Sequence, residues 1–220
     1  MSGTVKRRRD RVDKGGGQAR TRLARRAVVE AARTVFVERG YGATTIEAVS
    51  DRSDVPPATV YRLFSSKLGI LKALLDVSIA GDDQELPVLD RPEVAALFAE
   101  PDPEELLAGF ARINVAINER SGQLYQVLAS AARSEPEAAE ILGQYTQQRQ
   151  QGQGQIARAL ARAGALRSDL RERDAADIIH VFMSPEVYRL LVIDRRWSRA
   201  RYEGWLENAL AQQLLPTTTS

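Results

Sequence analysis

Residues 44–67 read TTIEAVSDRSDVPPATVYRLFSSK. The stretch divides into a short helix, a tight turn, a second short helix and the lysine that starts a third. Thr44 through Glu47 fits the Ser/Thr-x-x-Glu capping box that opens a helix, and Ile46 and Val49 face inward from it. Ser53-Asp54 ends the helix, since aspartate tolerates the left-handed turn conformation, though less easily than glycine. Val55 precedes a proline and is pushed out of the helical region. Pro56 and Pro57 pre-set φ for the first turn of the next helix, where missing N–H groups cost little. Val60, Leu63 and Phe64 supply that helix's inner face. Two short helices joined by a turn of about three or four residues make a helix-turn-helix. The first helix braces, and the second presents its N-terminal residues to base edges in the major groove of DNA. Pro57, Ala58, Thr59 and Arg62 are the outer residues of the second helix, free to meet DNA.

Upstream, a helical period begins at Thr21. Ala24, Val28, Ala31 and Val35 form an apolar stripe, widened by Leu23, Ala27, Ala32 and Phe36. Gly40 suits the end of this helix because glycine accepts positive φ. Residues 1–40 carry twelve Lys/Arg against four Asp/Glu, a net of +8; the remaining 19 Lys/Arg and 25 Asp/Glu leave −6. Such asymmetry describes either a cationic arm that meets a polyanion or a solvated tail. Residues 1–20 are polar, charged and glycine-containing, and are predicted to be a disordered basic arm. Downstream, Ser65 or Ser66 caps a fourth helix running to about Ile79. A cation in the first turn of a helix, as at Lys67, opposes the helix dipole by up to about 1 kcal/mol. A phosphate there would turn that penalty into attraction; the alternative is a solvated lysine. Tyr61 is either a backbone anchor for DNA or a half-buried core residue.

The chain of 220 residues has no cysteine and one histidine, which rules out disulfides and thiolate metal sites. No apolar run approaches the length of a bilayer span. The basic N-terminus has no apolar core behind it, so it does not read as a secretory signal. These features predict a cytoplasmic protein that does not engage membranes. Beyond a loop at 81–90, helical patterns fall near 91–99, 103–119, 121–134, 137–163, 172–194 and 198–213. Breaks are expected at Pro101/Pro103, Gly122, Glu135-Pro136, Gly164 and 195–198. Strand-type alternation and internal repeats are absent. The expected fold is all-α with nine to ten helices: a basic arm (1–20), a DNA-binding domain (21–80, helix-turn-helix 45–64) and a C-terminal helical ligand-binding and dimerisation domain (81–220).

The segment Ala31–Leu71, AARTVFVERGYGATTIEAVSDRSDVPPATVYRLFSSKLGIL, resembles the tetracycline-repressor (TetR) family of bacterial transcriptional regulators. The shared patterns are A-x-x-x-F-x-x-x-G-Y/F-x-x-T-T and V-x-x-x-T-V-Y-x-x-F-x-x-K-x-x-x-L. The resemblance implies an all-helical homodimer with a small-molecule cavity in the C-terminal domain. In such proteins, effector binding usually releases double-stranded operator DNA. By position, it implies phosphate contacts at Thr45, Thr59, Tyr61 and Lys67, and base-reading positions at Glu47, Pro57, Ala58 and Thr59. Glu47 could accept from a cytosine amine or serve only as a helix-capping residue. Two positions depart from the family pattern: Asp54 stands where glycine is usual, and Pro56 where a serine cap is usual.

The C-terminal half carries little of this signature. Leu106, Phe110, Ile113 and Ile117 line one side of the helix at 103–119, with Asn114 and Asn118 beside that stripe. The asparagines either hydrogen-bond a ligand in an apolar cavity or meet water at the domain boundary. His180 sits among apolar residues, as a satisfied core histidine or a ligand contact. Tyr125, Tyr145, Phe110 and Phe182 are pocket walls or plain core. Val187, Leu190, Leu191, Trp197, Tyr202, Trp205, Leu206 and Leu210 hold more apolar surface than one helix needs to sit on its own domain. The resemblance implies that this end pairs two subunits in a four-helix bundle; the alternative is a buried terminal hairpin of a monomer. Pro185 is expected to kink the helix at 172–194.

Gly152 to Ala157 fits a loose dinucleotide pattern but follows a helix rather than a strand. Gly15–Gly17 lacks the lysine of a phosphate loop, and no acid/base pair or nucleophile motif is visible. No enzyme activity, cofactor or metal is expected. Two readings remain: a ligand-responsive homodimeric repressor, or a helical small-molecule-binding or scaffold protein with only non-specific affinity for DNA.

Overall fold

The computed structural model describes residues 4–81 and 91–216, with side chains from residue 17 onward. The chain divides into two compact units, residues 1–75 and 76–220. All regular structure among the described residues is helical: α1 (Thr4–Ala43), α2 (Ile46–Ser53), α3 (Pro57–Phe64), α4 (Lys67–Ala80), α5 (Pro92–Phe98), α6 (Pro103–Ala131), α7 (Pro136–Arg162), α8 (Glu172–Phe182), α9 (Pro185–Tyr188) and α10 (Arg199–Leu214). A π-helical stretch, Arg189–Asp194, follows α9. The division into units falls inside α4, earlier than the boundary expected at 80/81. Residues 82–90 of the expected loop lie outside the described residues, as do residues 1–3 of the expected arm.

The first unit packs α1 to α4 around Val28, Ala32, Val35, Phe36, Val49, Val60, Ile70 and Leu71, all nearly inaccessible to solvent. Three expectations change here. The backbone of residues 4–20 continues α1, where composition predicted a disordered arm. Arg, Lys and Ala are good helix formers, and adding residues to an established helix is far easier than starting one. Leu23 does not widen the buried stripe; it is 66% exposed. The third change concerns the start of α2. Its N-cap is Thr45, whose side chain accepts from Ala48 N at 3.1 Å, so Thr44 and Glu47 do not form a capping box. Thr44 is buried, and its hydroxyl is already donated to the Gly40 carbonyl at 2.7 Å. Gly40 interrupts the helical backbone of α1 (φ 70°, ψ 178°). That region is essentially restricted to glycine.

The turn between α2 and α3 follows the expected chemistry. Asp54 is left-handed (φ 54°, ψ 31°), and Pro56 is the N-cap of α3 with φ −54°. The Pro56 carbonyl accepts from Thr59 N at 2.8 Å and Val60 N at 3.1 Å, so α3 closes its first turn without a capping side chain. Buried Ser50 donates its hydroxyl to the Val55 carbonyl at 2.6 Å and fixes the turn against α2. At the other end of α3, Ser66 caps α4 by accepting from Gly69 N at 3.0 Å. A Cβ on Gly69 would lie 2.1 Å from the Phe64 carbonyl oxygen. Only glycine lets these helix ends approach so closely. Gly69→Ala is therefore expected to destabilise the protein by about 1–3 kcal/mol, the usual range for overpacking. Denaturant unfolding checks this, and an unchanged midpoint would mean the junction relaxes freely.

The second unit has a core from α5 to α10. α6 runs without a break through Gly122, against the expectation of two helices there. A Cβ at Gly122 would be 3.4 Å from the Tyr188 ring, so this glycine sits against an aromatic neighbour rather than ending a helix. The helix expected at 172–194 is broken, not kinked. α8 stops at Phe182, and α9 restarts at Pro185 with the Ser184 hydroxyl accepting from Val187 N at 3.2 Å. Tyr202, Leu206 and Leu210, expected at a subunit interface, have no exposed surface within one chain. They face their own unit's core, where Tyr202 meets Tyr188 edge-on at 5.2 Å and Trp205 at 5.7 Å. Among the described residues of this unit beyond α4, Val181, Leu190 and Ile193 are the large apolar side chains left exposed.

Candidate nucleic-acid interface and a buried polar cluster

α3 is two turns long and divides cleanly by face. Val60 and Phe64 are buried and Leu63 is half-buried. Pro57, Ala58, Tyr61 and Arg62 are exposed and Thr59 is half-buried. Tyr61 is 49% exposed, so it stands on the outer face and not in the core. Thr45 and Glu47, at the start of α2, are exposed as well. The last turn of α3 is held from outside by Arg25, whose guanidinium donates to the Leu63 carbonyl at 3.3 Å and lies 4.7 Å from the Phe64 ring centroid. Sequence reasoning did not single out Arg25. Its only signal was a cation on α1, and its partner lies 38 residues away.

Lys67 is half-buried. Its ammonium donates to the Tyr41 carbonyl at 2.8 Å and sits 4.1 Å from the Tyr41 ring centroid. The unfavourable position of a cation in the first turn of α4 is thus offset by a carbonyl at the end of α1 and by the face of an aromatic ring. An ammonium has three donors, and one is committed to Tyr41.

In the second unit, several candidate pocket residues prove to be tied together. Asn114 donates to the Met183 carbonyl at the end of α8 (2.9 Å), and Asn118 donates to the Asn114 side-chain oxygen (3.0 Å). Both are buried. They bridge α6 to α8 and do not meet water at a boundary. Phe110 is buried against Phe98, with ring centroids 4.9 Å apart. Phe182 is tilted against Trp205 at 5.8 Å. Tyr145 donates to Asp76 at 2.6 Å, and burial, reinforced by that carboxylate, pushes its phenol far above the ordinary value. The Thr146 hydroxyl donates to the Leu142 carbonyl at 2.9 Å, which leaves Tyr125 OH as the donor of the 3.2 Å bond between Tyr125 and Thr146.

His180 is bonded on both sides. Arg149 lies 3.3 Å from its Nε2, and Gln153 Oε1 lies 2.8 Å from its Nδ1. A guanidinium can only donate and an amide oxygen can only accept. The ring is therefore the neutral tautomer with its proton on Nδ1. Burial, with the Arg149 charge beside it, holds His180 below the ordinary histidine range. Arg149 and Gln153, one turn apart on α7, were not singled out from the sequence; a glutamine-rich helix gave no reason to prefer them. In the unfolded chain His180 regains its usual pKa of about 6.5. Between the folded and unfolded values the unfolded state binds more protons, so this group lowers stability as pH falls below about 6.5. Melting temperatures of the wild type and His180→Gln across pH 5.0–7.5 test this. The wild type is expected to lose more stability on acidification than the variant, and parallel curves would contradict the assignment.

Residues 28–74 match the sequence profile of bacterial regulatory proteins of the tetR family. The uncharacterized HTH-type transcriptional regulator YdeS of Bacillus subtilis is 24% identical over 177 residues, which span 80% of this chain and 82% of YdeS. The HTH-type transcriptional activator FasR of Mycolicibacterium smegmatis is 35% identical over 79 residues, 34% of this chain and 36% of FasR. Among solved structures, the fold is similar to that of the transcriptional regulator FadR from Bacillus subtilis in complex with stearoyl-CoA. The TM-score is 0.68 at 16% identity, covering 85% of this chain and 97% of that one. A helix-turn-helix with an outward-facing second helix, in this company, defines a DNA-binding transcriptional regulator. Residues 28–74, which include the helix-turn-helix, carry the signature of the tetR family of bacterial regulatory proteins.

Proposed function

We propose that the protein is a homodimeric repressor that leaves its operator when a small molecule binds the second unit. The observation that carries the DNA-binding half is the outer face of α3. Pro57, Ala58, Thr59, Tyr61 and Arg62 stand on a short helix whose opposite face is locked into the core. Thr45 and Glu47 stand at the start of α2, and Lys67 supplies its remaining donors to a phosphate. Effector control is supported by the fold similarity to FadR, a regulator captured with stearoyl-CoA. Repression follows from steric blocking of a promoter, and the site of action is the cytoplasm.

Fragment selection from the source genome, followed by titration of the bound fragment, tests this directly. A specific regulator binds its site at least about a thousandfold more tightly than random DNA, whereas a helical protein with only sequence-blind affinity shows the salt-sensitive term alone. Arg62→Ala is expected to flatten the salt slope by about one unit and leave the melting temperature unchanged. Lys67→Ala is expected to flatten the slope and lower the melting temperature as well, because it also removes the strut to Tyr41. An unaltered slope in both variants would refute the phosphate contacts.

Dimerisation is proposed through the surface between residues 181 and 193. Val181, Leu190 and Ile193 are exposed there, with Val187 and Leu191 half-buried beside them in sequence. Trp197 and Trp205 are half-buried and complete the expected interface. Leu190→Glu places a charge in the apolar patch and is expected to yield a monomer by light scattering, with the helical content retained. A dimer that persists in this variant would move the interface elsewhere.

A further inference from the structure

We infer that Arg149 is the anchor for a carboxylate on the effector, an inference that rests on the second unit being an effector-binding domain. The side chain of Arg149 is 19% exposed. Its Nε and Nη1 are inaccessible to solvent and have no hydrogen-bond partner in the protein. Nη2 reaches only the Nε2 of His180, a neutral acceptor. Glu186, in the first turn of α9, comes no nearer than 3.9 Å and is itself 53% exposed. The Tyr125 ring lies at the outer limit of cation–π contact, 6.0 Å from the guanidinium. A guanidinium carries five donors in a fixed fork, matched to a planar anion. Here most of them are withdrawn from water without an acceptor, an arrangement that is costly unless an anion completes it.

The surroundings select the ligand class. His180 is neutral and keeps its proton on Nδ1, turned toward Gln153, so it adds no second positive charge. Gln153 is buried and already committed to His180. The site thus offers a buried cation whose paired carboxylate, Glu186, is weakly held, with Asp177 acting on His180 from α8 as a second acidic group. That fits a monoanion better than a dianionic phosphate. A carboxylate bound to Arg149 would take the place of Glu186 as its counter-ion. Because Glu186 opens α9 and α9 leads into the exposed stretch around Leu190, occupancy would act on the surface proposed for dimerisation.

The test uses the full chain and three probes of one length: decanoate, decanol and decylammonium. Calorimetry measures binding, and release from the selected DNA fragment is measured separately. Decanoate is expected to bind, with decanol at least about tenfold weaker and decylammonium not binding, in line with the strength of charge-assisted hydrogen bonds. Arg149→Met is expected to weaken decanoate by about tenfold to a hundredfold while leaving decanol unchanged. Its melting temperature without ligand should equal or exceed that of the wild type, since an uncompensated buried charge is gone. Glu186→Gln, which removes the competing carboxylate and leaves the core intact, is expected to tighten decanoate about twofold to tenfold. Equal binding of decanoate and decanol, or decanoate affinity unaffected by either substitution, overturns the inference. So does a lower melting temperature in Arg149→Met with unchanged decanoate affinity, which would make Arg149 a structural residue. If decanoate binds through Arg149 and DNA is not released, the anchor stands and the ligand-responsive reading fails. If decanol alone binds and releases DNA, the reading stands and the anchor fails.

Discussion

The hydrogen bond from Ser50 to the Val55 carbonyl, across the left-handed Asp54, is the contact on which the DNA-binding unit depends. It converts three turn residues into a fixed corner between α2 and α3. Once that corner is set, helical periodicity decides the rest: Val60 and Phe64 must point into the core, and Tyr61 and Arg62 must point away. Two cations then tie neighbouring helix ends together around it. Arg25 meets a carbonyl in the last turn of α3, and Lys67 meets one at the end of α1. Arg25 sits where the dipole of α3 favours positive charge, whereas Lys67 stands in the unfavourable first turn of α4 and is compensated by the Tyr41 carbonyl and ring. Part of the basic character of the first unit is therefore structural.

The second unit solves a different problem. Its helices enclose polar side chains as well as apolar ones, and each buried polar group needs a partner. Asn118, Asn114 and the Met183 carbonyl form one such chain; Tyr125, Thr146 and the Leu142 carbonyl form another. The third, Gln153–His180–Arg149, fixes a tautomer at one end and leaves the guanidinium incompletely satisfied at the other. Two chains close on backbone carbonyls, and the third ends on a charge.

The helix-turn-helix was legible in the sequence because its determinants are local. A left-handed aspartate, two prolines and an apolar spacing act over four or five residues, and they appear in the folded chain where they were expected. Most of what failed depended on distant partners, although the start of α2 and the end of α8 turned on near neighbours. Thr44 and Thr45 compete for one cap, and the Gly40 carbonyl decides the outcome. Gly122 reads as a helix break until Tyr188 is found against it, and Pro185, expected only to kink one long helix, instead opens a new one behind the Ser184 cap. An apolar stripe such as Tyr202, Leu206 and Leu210 says only that something covers it. Whether the cover is the same chain or another copy is not written in the stripe. Arg25 and Arg149 were invisible for the same reason, since their partners lie 38 and 31 residues away.

The way α3 begins has a consequence for how such a protein diversifies. Its first turn is closed by the Pro56 carbonyl and two proline rings, with no side chain of α3 recruited as a cap. Ala58 and Arg62 therefore owe nothing to the fold, and they can be exchanged for other residues at little thermodynamic penalty. A duplicated copy could drift toward a new target sequence one substitution at a time, with the scaffold beneath remaining folded at every step.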